Sequence, residues 1–139
     1  MTVLIADDDA DDRMLLEQAM RQNGYDKQIK FVEDGEQLME YMRREGRFTE
    51  QTAPWPSLLI LDLNMPRKNG FQALTEIKAD PALRRLPIVV MTTSSTDEDV
   101  IRSYNLGVNS FITKPFSFNR MVEMIGALKT YWMDTVKLP

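Results

Sequence analysis

Apolar positions along this chain gather into five short stretches, separated by stripes spaced three and four residues apart. The stretches are Thr2–Ala6, Ile29–Val32, Leu58–Asp62, Leu86–Thr92 and Ser110–Thr113. Stretches this short, bounded by turn residues, read as strands, and the fully apolar ones as strands buried on both faces of a parallel sheet. The stripes read as helices. One runs to about Asn23, with Leu15, Leu16 and Ala19 on a face, and Asn23-Gly24 stops it. A second covers Glu36–Arg44, with Leu38, Met39, Tyr41 and Met42. A third covers Gly70–Ala79, with Phe71, Leu74 and Ile77, and ends at Asp80-Pro81. A fourth covers Asp97–Leu106, stopped by Gly107. The last runs from about Ser117 to Tyr131 or beyond, with Val136–Pro139 left as a tail. Strand and helix alternate throughout, which predicts one α/β domain with a parallel sheet and right-handed crossovers. Glu45–Pro56 is longer than the usual helix-to-strand link, and Phe48 and Trp55 are expected to pin it down.

The central strand carries the first chemical signal. Asp62 ends an apolar run, and a carboxylate there is costly without partners or a cation. Pro66 and Gly70 then turn the chain out of the sheet. Ligands of open parallel sheets bind beyond the carboxyl ends of the strands. At that edge the first strand delivers Asp7 and Asp8, the third Asp62, the fourth Thr92 and the fifth Lys114. Three converging carboxylates do not all stay ionised without a cation. A metal and an ammonium together offset charge building on a transferring phosphoryl group. Asp62 is the natural nucleophile for an acyl phosphate, and Thr92 is placed to donate a hydrogen bond to it.

Composition narrows this further. The chain has 139 residues and no His or Cys, so imidazole bases, thiol nucleophiles and the common zinc ligands are all excluded. A metal here must be a hard cation held by oxygen: Mg²⁺, Mn²⁺ or Ca²⁺. A net charge of -4 argues against a nucleic-acid surface. No apolar window is long enough to span a membrane, and no basic leader precedes Thr2, so a cytoplasmic protein is expected.

With these motifs in order, the chain resembles the receiver domains of two-component response regulators, over residues 2 to about 131. The motifs are the acidic pair Asp7-Asp8, then Asp62 with Met65-Pro66 and Gly70 behind it, Thr92, and Lys114-Pro115. The resemblance implies a flavodoxin-like fold of five strands and five helices, in strand order 2-1-3-4-5. It implies that Asp62 accepts a phosphoryl group from a sensor histidine kinase. It further implies a Mg²⁺ site, with Mn²⁺ as the alternative. Asp8 would bind the metal directly, Asp7 mainly through water, Asp62 by its side chain and Asn64 by its backbone carbonyl. Thr92 and Lys114 would hold the phosphoryl oxygens, Phe111 would be the switch aromatic, and Lys114-Pro115 would be cis. Two residues depart from the common pattern: Asp7 stands where many receivers have Glu, and Thr93 where Ala or Gly is frequent.

A narrower resemblance is to stand-alone receivers partnered with bacterial and cyanobacterial phytochrome kinases. It is carried by the long connection before Trp55, by Leu86–Ser94 and by Tyr131–Pro139. Phe118, Met121, Val122, Ile125, Leu128 and Trp132 make one helical stripe, which Met124 and Tyr131 widen beyond what a sheet face usually covers. A homodimer through the last helix and residues 132–139 is expected. Two other functions compete. A phosphatase of haloacid dehalogenase type needs an acid two positions after its nucleophile, and Asn64 stands there. A phosphorylation-independent interaction module would normally lack one of the acidic residues or the lysine, and this chain has them all. Taken singly, the acidic run Asp7–Asp12 reads as a solvated helix start, Lys114 as a surface lysine and Phe111 as core.

Overall fold

The computed structural model describes all 139 residues. Its strands are β1 (Thr2–Ala6), β2 (Gln28–Val32), β3 (Leu58–Leu61), β4 (Ile88–Thr92) and β5 (Ser110–Thr113). Its helices are α1 (Ala10–Gln22), α2 (Gly35–Arg43), α3 (Gly70–Ala79), α4 (Asp97–Asn105) and α5 (Phe118–Lys129). The five strands form one sheet in the order β2-β1-β3-β4-β5, parallel at every pairing. Both the order and the alternation are those expected from the sequence.

Side chains alternate across a strand, so each central strand feeds two cores. Leu4, Leu59, Leu61, Ile88 and Val90 face a cluster with Leu38, Met42, Leu74 and Ile77 of α2 and α3. Val3, Ile5, Leu58, Ile60, Val89 and Met91 face another with Leu16, Met20, Met121, Ile125 and Leu128 of α1 and α5. Strands β1, β3 and β4 are buried end to end, while the edge strands β2 and β5 are half-exposed. Helix α4 differs from its neighbours in that Ser103 is its only buried residue. No helix is long and apolar enough to cross a membrane.

Each of α1 to α5 starts on a side-chain cap, so each chain reversal beyond a strand end is fixed locally. Asp9 caps α1, Asp34 α2, Thr96 α4 and Ser117 α5. Asn69 and Gln72 form a reciprocal capping box at the start of α3. Gly70 lets that helix seat on the end of β3: a Cβ there would lie 2.5 Å from the Asp62 carbonyl oxygen.

Several boundaries differ from expectation. Strand β4 starts at Ile88 because Pro87 has no N–H to give, and the Ile88 amide goes to the Asn109 side chain instead. Strand β3 ends at Leu61, one residue before Asp62. Helix α5 does not run on as an α-helix to Tyr131. It gives way after Lys129 to a π-helical segment, Thr130–Thr135, closed by the Val136 amide on the Tyr131 carbonyl. The α2–β3 connection is held by Phe48, edge-on to Tyr41 at 5.3 Å, and by the Tyr41 hydroxyl on the Pro54 carbonyl at 2.7 Å. Trp55 remains exposed.

Candidate functional site

The carboxyl ends of the strands bring the expected residues to one rim. Asp7 follows β1 directly and is buried, while Asp8 beside it is exposed. Asp62 follows β3, and its amide still donates to the Ala6 carbonyl at 3.0 Å. Thr92 is the last residue of β4 and is wholly buried. Lys114 follows β5, with its amide on the Thr92 carbonyl at 2.8 Å. The sheet therefore fixes the backbone at Asp7, Asp62, Thr92 and Lys114 before any side-chain contact is made.

The centre of the site is the Lys114 ammonium. Its Nζ donates to Asp7 Oδ2 at 2.7 Å, Asp12 Oδ2 at 2.8 Å and Asp62 Oδ2 at 2.9 Å. A buried ammonium is tolerated only when paired in this way. Burial alone would push Lys114 down, but the hydrogen bonds to Asp12, Asp7 and Asp62 outweigh it and hold its pKa above the ordinary lysine range. Burial pushes the Asp7 carboxyl up, against the Lys114 hydrogen bond that draws it down. The remaining Asp7 oxygen accepts the Asp9 amide at 2.9 Å, and the remaining Asp62 oxygen accepts the Asn64 amide at 3.1 Å. The Asn64 side chain reaches Thr92 Oγ1 at 3.4 Å, which ties the hydroxyl to the loop after Asp62. Arg13 donates to the Asp7 carbonyl at 2.7 Å, packing the start of α1 against this corner.

Asp7, Asp8 and Asp62 each offer a carboxylate oxygen within 4.8 Å of the others. All the donors are hard oxygens and none is nitrogen or sulfur, so the set fits a hard divalent cation.

Phe111 lies outside this cluster. It is half-buried against the core under α2 and α3, and its backbone amide donates to the Tyr104 hydroxyl at 3.1 Å. The Lys114–Pro115 bond is trans, as is every peptide bond in the chain, which corrects the cis expectation. Asp12 was not among the expected site residues. Its one sequence signal is position: it lies in the first turn of α1, five residues past Asp7, close behind the rim.

The chain matches the response regulator receiver domain family over residues 3–126. It belongs to that family. It is 35% identical over 137 residues to the response regulator Rcp1 of Synechocystis sp., covering 99% of this chain and 92% of Rcp1. The crystal structure of the phosphorylated cyanobacterial phytochrome response regulator RcpA superposes with a TM-score of 0.92 at 35% identity, over 99% of this chain and 97% of that one. The Mn²⁺-bound form of Rcp1 superposes with a TM-score of 0.91 at 35% identity, over 99% and 98%. The chain is thus a receiver of two-component signalling, from a family that binds divalent metal.

Proposed function

We propose that Asp62 accepts a phosphoryl group from the phosphohistidine of a sensor histidine kinase. The observation that carries this reading is the Lys114 ammonium on Asp62 and Asp7 at one buried rim. In the transfer an Asp62 carboxylate oxygen bonds to phosphorus as the P–N bond breaks, and the imidazole nitrogen leaves with that electron pair. Water later attacks the same phosphorus, releasing inorganic phosphate and restoring the carboxylate. Lys114 stays beside the transferring oxygens and offsets their charge. Thr92, on its adjacent strand, donates its hydroxyl to one of them, and its movement away from Asn64 is passed to Phe111 on β5.

Asp7, Asp8 and Asp62, with the Asn64 backbone carbonyl, would hold Mg²⁺, or Mn²⁺ in its place. When bound, that cation supplies positive charge against the phosphoryl oxygens. The kinase partner is proposed to be a phytochrome, because the solved structures similar to nearly the whole chain include a cyanobacterial phytochrome response regulator. A cytoplasmic setting goes with that partnership. Residues 1–131 form the receiver, and α5 with residues 132–139 forms a homodimer face. Tyr131 is 55% exposed there, beside half-buried Trp132 and Met133, which supports that assignment.

Acetyl phosphate with Mg²⁺ tests the acceptor. Intact mass should show one added phosphoryl group, lost with a chelator and lost in Asp62→Asn. A mutant that labels as well as wild type removes Asp62 from the role. A wild-type chain that never labels favours a phosphorylation-independent interaction module.

A further inference from the structure

We propose that Asp12 is the positioning residue for Lys114, the anchor that stays in place while the other two partners of the ammonium change theirs. An ammonium has three N–H donors, and here all three are committed, to Asp7, Asp12 and Asp62. Two of these acceptors have a second demand on them. Asp7 and Asp62 belong to the trio whose oxygens converge for a cation, and Asp12 does not. Asp62 also commits one oxygen to the acyl phosphate, a mixed anhydride, when it is phosphorylated. Each event weakens or redirects a bond to Lys114. Asp12 undergoes neither change.

Its mounting suits the task. Asp12 sits in the first turn of α1, where its amide and that of Asp11 are held by the Asp9 side chain at 3.1 and 2.9 Å. That turn is fixed to the site by Arg13 on the Asp7 carbonyl. The Asp12 side chain is 33% exposed, against 8% for Lys114, so it stands between the ammonium and solvent. Without it, one N–H of Lys114 would face outward to water. The flexible stem would then be free to swing away from the position where the phosphoryl oxygens arrive. With it, one donor remains anchored and two remain available to the reacting centre.

This inference deepens the acceptor reading, and its test has one half that does not depend on that reading. In the metal-free full chain, ¹⁵N-lysine NMR should show a slowly exchanging Lys114 ammonium signal. Asp12→Ala should lose it, and Asp12→Glu should restore it. A signal unchanged in Asp12→Ala overturns the proposal even if no phosphoryl group is ever taken up. The second half uses the labelling rate with acetyl phosphate and Mg²⁺, with circular dichroism to verify folding. Asp12→Ala should slow labelling roughly tenfold, within what a misplaced charged group costs. Placed on top of Lys114→Ala, it should slow labelling no further. Equal slowing in both backgrounds, or a Mn²⁺ affinity that falls more than tenfold by electron paramagnetic resonance, would make Asp12 a metal ligand instead and overturn its positioning role.

Discussion

Asp8 is the residue on which the metal reading is most cleanly tested. It is exposed and is not bonded to Lys114, so its loss removes a converging oxygen without breaking the buried cluster. Mg²⁺ or Mn²⁺ at about ten times its dissociation constant should raise stability by about 1.4 kcal/mol, several degrees in melting temperature. A chelator should reverse the shift, and Asp8→Ala should abolish it. An equal shift in the variant would assign the cation elsewhere. At this scale the strand-end residues were legible in advance, because the parallel topology forces Asp7, Asp62, Thr92 and Lys114 onto one edge. Asp12 was not. An acid in the first turn of a helix already has a sufficient explanation in the helix dipole, and only coordinates reveal that Lys114 reaches back to it.

Among the elements, the α2–β3 connection makes a specific demand on Tyr41. Burial pushes its phenol up to about 12, and its hydroxyl donates to the Pro54 carbonyl. A phenol whose pKa is raised on folding binds its proton more tightly in the native state. Its stabilising contribution is therefore intact below the unfolded value near 10 and is lost as pH climbs through 12. Tyr41→Phe should cost about 1 kcal/mol at neutral pH for the lost hydrogen bond. Denaturant titrations from pH 9 to 12 should show the wild-type advantage shrinking over that interval. An advantage constant across it would mean the phenol titrates normally. Most elements were readable from their periodicity and caps. The π-helical Thr130–Thr135 was not, because Leu128 and Trp132 still pack on the same core, as the stripe of an α-helix would. Trp55 misled for a different reason: a large aromatic in a loop promises burial, but the Tyr41–Pro54 bond had already secured that segment.

For the whole molecule, the two cores place α1 and α5 on one face of the sheet and α2 and α3 on the other. The α1–α5 pair is joined where the Asn23 side-chain amide donates to the Val122 carbonyl at 2.9 Å, across from Gly126. That makes α5 a firm platform for the proposed homodimer. Light scattering after size exclusion should give a dimer for the chain of residues 1–139 and a monomer for one ending at Tyr131. A monomer in both would withdraw the dimer. Helix α4, which packs against β5, is held very differently. Helix α4 buries Ser103 alone, and that hydroxyl has no hydrogen-bond partner. The helix is also tied by the Arg102 guanidinium lying 4.0 Å from the Phe71 ring centre, the Ser94 hydroxyl on Asp99, the Tyr104 hydroxyl at the Phe111 amide and its half-buried C-cap Leu106. So little is forfeited when α4 lifts that its amides should trade deuterium ahead of those of the other four helices, giving this receiver a hinge-ready flank next to the strand that carries Phe111.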